Sequence, residues 1–159
     1  MTGYKEKLKR KINNMIISLG CDHAGFDVKE KVKKHLIDKF NYEILDCGTN
    51  SPQSVDYPEY GHLVGKSIIS KQSNRGIVIC GSGIGISIAA NKIKGIRAAL
   101  CTTVDHAEMS RKHNDSNILA VGARMTKFKK ILDIIDIWLK TDFEGGRHLD
   151  RVRKIEDIK

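Results

Sequence analysis

Gly76–Ser87 reads GIVICGSGIGIS, and this stretch decides the fold. Five residues, Gly76–Cys80, form a short apolar run rich in β-branched side chains, which predicts a buried strand. Three glycines in five residues follow, at Gly81, Gly83 and Gly85. The chain then continues as a helix-like apolar stretch. Strand, glycine turn and helix in that order form the repeating unit of a parallel α/β sheet. In such sheets ligands bind beyond the carboxyl ends of the strands. The chemistry should therefore sit where Cys80 meets Gly81.

Working outward, the same alternation recurs on both sides. Met15–Cys21 (MIISLGC) predicts a strand, and 26–40 a helix. Val28, Val32, Leu36 and Phe40 fall four apart and share one face of that helix. Tyr42–Gly48 (YEILDCG) predicts a second strand. A turn-rich loop, TNSPQSVDYP, leads to an amphipathic helix around Glu59–Lys71. Beyond the glycine loop come strands at Arg97–Cys101 and Ile118–Gly122. A helix capped by Asp105 lies between them. A long helix is expected over Lys127–Lys140, and another beginning near Gly146. The fold class is α/β: a five-stranded parallel sheet with helices on both faces, in three layers. No repeat, low-complexity tract or linker divides it, so residues 15–159 make one domain. Residues 1–14 (MTGYKEKLKRKINN) form a polar, basic and unpatterned extension, expected to be disordered.

Composition narrows the class. Of 159 residues, 40% are hydrophobic and 30% charged, an ordinary globular balance. No apolar run approaches the roughly 20 residues that span a bilayer. No secretory signal is visible, so a cytoplasmic protein is expected, with no membrane partner. Lys and Arg outnumber Asp and Glu by 28 to 19, a net charge of +9. Much of that excess lies in the N-terminal extension. Elsewhere lysines alternate with acids, as in KEKVKKHLIDK, which reads as a solvated helix face. No aromatic set of the RNA-binding kind accompanies the charge, so no nucleic-acid partner is expected. The four cysteines, Cys21, Cys47, Cys80 and Cys101, form no CxxC pair. No metal site is expected from their spacing or from any HxxxH or HExxH pattern.

Several residues could carry chemistry, each with a plainer reading beside it. Gly81–Gly85 can converge backbone N–H groups on an anion, or make only a tight turn. A nicotinamide fingerprint would need a glycine where Ile86 stands, and a phosphate-binding P-loop would need GK[ST]. Cys80, at a helix start, suits thiolate chemistry, or is a small buried hydrophobe. Asp22 and His23 close the first strand and stand over the sheet edge, or Asp22 only caps the helix that follows. His113-Asn114-Asp115 lies between a helix and the fifth strand. His35 and His106 read as helix-surface residues. Arg147 and Arg151 fall four apart in GGRHLDR and can present a fork to phosphate, or pair with Glu144 and Asp150.

Taken together, GCDHAGF, DYPEY, ICGSGIGISIAANK, GIRAALC, RKHNDSN, GAR and FEGGRHLDRV resemble the ribose-5-phosphate isomerase B family. The likeness runs from about Ile17 to Ile155. It implies a Rossmann-like three-layer sandwich and a cofactor-free, metal-free aldose–ketose isomerase acting on ribose 5-phosphate and ribulose 5-phosphate. It also implies a homodimer, or a tetramer built from two dimers, with sites shared between subunits. Cys80 falls where the family has its base, His113 at the ring-opening acid/base, and Ser82 and Asp22 in the same catalytic region. Backbone groups of Gly81, Ser82, Gly83, Ile84 and Gly85 fall where the enediolate is held. His23, Arg147 and Arg151 match phosphate contacts, and Arg124 another ligand contact. Tyr57 and Asn114 match substrate-orienting positions. Ser82 stands where many relatives carry threonine, which keeps the hydroxyl. Allose 6-phosphate and galactose 6-phosphate isomerases, and a non-catalytic phosphosugar-binding module, are the alternatives.

Overall fold

A computed structural model describes residues 15–158. The expected N-terminal extension, residues 1–14, lies outside them. Five strands are present: β1 (Ile16–Cys21), β2 (Glu43–Asp46), β3 (Arg75–Cys80), β4 (Ala98–Leu100) and β5 (Ile118–Gly122). Six α-helices follow or separate them: α1 (Phe26–Phe40), α2 (Tyr57–Ile69), α3 (Ile84–Asn91), α4 (Val104–Asn114), α5 (Phe128–Lys140) and α6 (Arg147–Glu156). A 3-10 turn at His23–Gly25 precedes α1.

All strand pairs are parallel, in the order β2-β1-β3-β5-β4. Leu19 pairs with Asp46 on one side and Ile77 on the other, and Cys80 pairs with Gly122. Successive side chains on a strand face opposite ways. Thus Ile77 and Ile79 join Leu119 and Val121 beneath α1, α4 and α5. Val78 and Cys80 join Ala120 on the other face, against Val64 of α2 and Ile86 and Ala90 of α3. Three layers result. The chain moves outward from β1 to β2, then back across to β3. The crevice between the carboxyl ends of β1 and β3 is therefore the point where strand order reverses, the usual ligand position in such sheets.

The helix expected over 26–40 is α1, and Val32 and Leu36 are fully buried on its inner face with Val28 and Phe40 packed beside them. Two local expectations need correction. Asp105 does not cap α4. Thr103 does, with extended backbone and its hydroxyl accepting the His106 N–H at 3.1 Å, while Asp105 lies in the first turn. The KEKVKKHLIDK face is not wholly solvated. Lys29 is only 1% exposed, and its ammonium donates to both Asp46 carboxylate oxygens and to the Thr49 carbonyl, each at 3.0 Å. Burial alone would lower its pKa, but the bonds to Glu30 and Asp46 outweigh this and raise it. His35 is likewise a bridge rather than a surface residue: its Nε2 meets Asp136 of α5 at 2.7 Å, and Lys39 pairs with the same carboxylate. No helix among the described residues is long and apolar enough to cross a membrane.

Candidate active site

The sheet has two edges, and the residues expected to work together divide between them. At the carboxyl edge β3 delivers Cys80, which is 4% exposed. Its Sγ accepts the Gly83 N–H at 3.1 Å. That contact needs the chain to fold back at once. Gly83 has φ 77, and a Cβ there would lie 2.8 Å from the Val121 carbonyl carbon. Only glycine combines that backbone with so close an approach. The Ser82 hydroxyl accepts the Ile84 N–H at 3.2 Å, leaving its own O–H to donate elsewhere. Two of the expected anion-holding amides, on Gly83 and Ile84, are thus engaged within the loop. Gly85 and Ile86, in the first turn of α3, have no carbonyl four residues back within that helix.

The neighbours at this edge come from other strand ends. Asp22 is buried after β1, and its Oδ1 accepts the N–H groups of Ala24 and Gly25 at 3.0 and 3.2 Å. The capping role considered for it is therefore real, on the 3-10 turn. His23 Nδ1 lies against the Val55 backbone, 3.1 Å from its N–H and 3.3 Å from its carbonyl oxygen. The Tyr57 ring lies against Gly85, where an added Cβ would come within 2.5 Å of it. Arg124, just past β5, donates its N–H to the Gly81 carbonyl at 2.9 Å, and its side chain runs alongside Gly81. Cys80, Asp22, His23, Tyr57, the loop and Arg124 are therefore one neighbourhood. Burial pushes the thiols of Cys21 and Cys101 up to about 11.

His113 and Asn114 lie elsewhere. They end α4, which starts at the carboxyl edge and runs back to the amino edge. Its 11 residues cover ~16 Å, as do the six residues of β3. Asp115, at φ 45, closes the helix, and the following Asn117 carbonyl accepts the N–H of Gly76 at the start of β3. Arg111, buried, anchors this corner through Asp115, the Ser116 carbonyl and the Thr141 carbonyl. Arg147 and Arg151 belong to the same corner, exposed on α6. Neither forms an ion pair among the described residues: Asp150 pairs with Arg153, and Glu144 faces His148. Within one chain the structure does not bring His113, Asn114, Arg147 and Arg151 to Cys80.

One residue of this corner escaped the sequence reading. His148, inside the arginine pair, is buried and stacks on His113 with ring centroids 4.3 Å apart and planes 15° from parallel. Burial, His113 and Arg147 hold its imidazole below the ordinary histidine value, so it is neutral at pH 7. Its four-residue spacing from Val152 is the one trace in the sequence, and that spacing does not name His113 as its partner.

Comparison with known proteins agrees with this architecture. Residues 17–155 match the family model described as Ribose/Galactose Isomerase. The chain is 44% identical to the ribose-5-phosphate isomerase B of Escherichia coli over 142 residues, 89% of this chain and 95% of that protein. Among solved structures, the ribose-5-phosphate isomerase B of Clostridium thermocellum superposes with a TM-score of 0.87 at 52% identity, covering 89% of this chain and 95% of that one. The ribose 5-phosphate isomerase of Thermotoga maritima gives 0.88 at 46%, covering 91% and 99%. A five-stranded parallel sheet with a cysteine-glycine loop on its central strand, matched over almost its whole length, places this chain in the ribose/galactose isomerase family.

Proposed function

We propose that the chain interconverts ribose 5-phosphate and ribulose 5-phosphate, with Cys80 as the base. The observation that carries the base assignment is the Cys80 thiol at the strand-order reversal, its Sγ receiving the Gly83 N–H. The thiolate takes the C2 proton of the open aldose. The C–H electron pair becomes the C1–C2 double bond, and the carbonyl pair moves onto O1. The same thiol returns the proton to C1, while the O2 hydroxyl proton ends on O1. Amides in the first turn of α3 and the Ser82 hydroxyl face the developing negative charge. A donor of this kind contributes roughly 3–4 kcal/mol. Asp22 shapes the floor beside it, and Arg124 and Tyr57 bound the pocket. His23 serves phosphate. These steps use the chain's own groups and need no metal or cofactor.

The opposite corner supplies the rest from a second copy. His113 opens the furanose by carrying a proton between ring oxygen and O1, Asn114 orients the sugar, and Arg147 and Arg151 hold phosphate. The separation of the corners within one chain supports a homodimer, which a two-fold axis closes with two equal sites. Exposed Tyr57, Ile84, Ile88 and Val104, all near the carboxyl edge, offer apolar area for that contact. The test is a coupled assay on the purified chain with allose 6-phosphate and galactose 6-phosphate beside ribose 5-phosphate. Turnover of ribose 5-phosphate that persists in EDTA is expected. Activity only on a six-carbon substrate, or on none, overturns the assignment.

A further inference from the structure

His113, Glu144 and His148 each offer one ligand atom, and all three atoms lie within 4.8 Å of one another. The pair formed by His148 Nε2 and Glu144 Oε2 is already at 3.5 Å. Two ligands on a tetrahedral zinc, each bound at about 2.0–2.1 Å, are separated by roughly 3.4 Å. One side of the ligand triangle therefore has its final length, and the others close by turning the stacked rings and the glutamate. The elements that carry them allow it. Glu144 is half-exposed and is followed by Gly145 and Gly146, both at positive φ with open space around them. Its N–H is tied to the Lys112 carbonyl at 3.1 Å, which keeps the loop beside His113.

We propose that His113, Glu144 and His148 form a binding site for a divalent transition ion of the zinc class, and that filling it blocks ring opening. Two imidazoles and one carboxylate suit zinc, nickel or copper, whereas calcium and magnesium want oxygen ligands throughout. Arg147 and Arg151 stand on the same helix and make the local field positive. An ion is held there by strong ligand bonds, not by attraction alone, which again selects transition metals. A metal on His113 occupies the lone pair that ring opening needs. The inhibitory half of the proposal rests on the role assigned to His113. The binding half does not.

Zinc titrated into the full chain against a chromophoric chelator tests the site directly. The wild type and Cys80→Ala should each bind one zinc per chain, since the thiol is not a ligand. Glu144→Gln should bind at least about tenfold more weakly, because even outer-shell losses cost roughly 10–100-fold. No zinc bound by the wild type, loss of binding in Cys80→Ala, or unchanged affinity in Glu144→Gln overturns the site. In parallel, zinc should suppress turnover of ribose 5-phosphate by the wild type, reversibly with EDTA, and spare Glu144→Gln. Zinc bound through Glu144 with turnover undiminished would leave the site standing and overturn ring opening by His113.

Discussion

The two edges of the sheet are built on different principles. At the carboxyl edge the backbone does most of the holding: Gly83 reaches Cys80 sulfur, Ile84 reaches Ser82, and Ala24 and Gly25 reach Asp22. At the amino edge side chains dominate. His113 stacks on His148, and Arg111 ties the end of α4 to α5 and β5, while Arg147 and Arg151 extend outward. A backbone cradle is suited to fixing the reacting atoms. Long exposed arginines are suited to reaching a phosphate on another molecule. Neither edge carries a complete set, and ~16 Å of strand lies between them. Each chain thus holds two unlike halves of the proposed site.

The largest effect should come from the carboxyl edge. Cys80→Ala is expected to cut turnover by roughly 10²–10⁴-fold, the usual contribution of a positioned base. Phosphosugar affinity should change little. Turnover near that of the wild type would remove Cys80 from the chemistry.

Mixing the halves sharpens the comparison. Cys80→Ala and the double variant Arg147→Ala, Arg151→Ala should each be inactive as homodimers. A mixed dimer has one site with both lesions and one intact site, so subunit exchange should restore about half the activity. Verified mixed dimers that stay inactive would mean that the arginines serve their own chain's pocket.

A smaller, direction-dependent loss is expected from the amino edge. His113→Ala should slow reaction of cyclic ribose 5-phosphate by about 10²-fold, the lower end for acid–base groups. Ribulose 5-phosphate cannot close a furanose, because O5 carries the phosphate. Its solvent deuterium uptake should be largely spared. Equal losses from both substrates would assign His113 to proton transfer at carbon or to the fold.

The smallest effect concerns stability, and again one edge only. Lys29 and Asp46 brace the loop after β2 beside Cys21. Burial would raise the Asp46 carboxyl, but bonds from Lys29, Lys33 and the Gly48 N–H overcome it and leave the pKa lowered. A carboxyl lowered in the folded state adds stability above its unfolded pKa of about 4, lost as pH falls through the folded value. Asp46→Asn should therefore cost about 1–2 kcal/mol at pH 7, and less as the medium is made acidic. Denaturant melts from pH 7 to pH 3 give both numbers. A cost independent of pH would mean that the brace acts by shape and not by charge.

Much of this was legible in the residues. Period-four apolar spacing gave α1 its limits, and short β-branched runs marked β3 and β5, because one buried face or two leave a periodic trace. The glycine loop announced its own turn. Three features were not legible. Thr103 and Asp105 are both good caps, and only the extended backbone at Thr103 decides between them. Lys29 looks like its neighbours in a lysine-rich helix. Its burial depends on Asp46 and Thr49, which another strand brings to it. His148 acquires meaning only when α6 folds onto α4.

By itself, then, the sequence determined the layer order, the strand ends that carry Cys80 and Asp22, and the resemblance that names the chemistry. All of these are properties of neighbours along the chain, within reach of local periodicity and turn geometry. The tertiary structure alone decided that His148 and Glu144 gather beside His113, and that Lys29 is buried against Asp46. Those distances depend on the direction in which each helix returns across the sheet and on which helix faces meet. Spacing along a chain does not encode that.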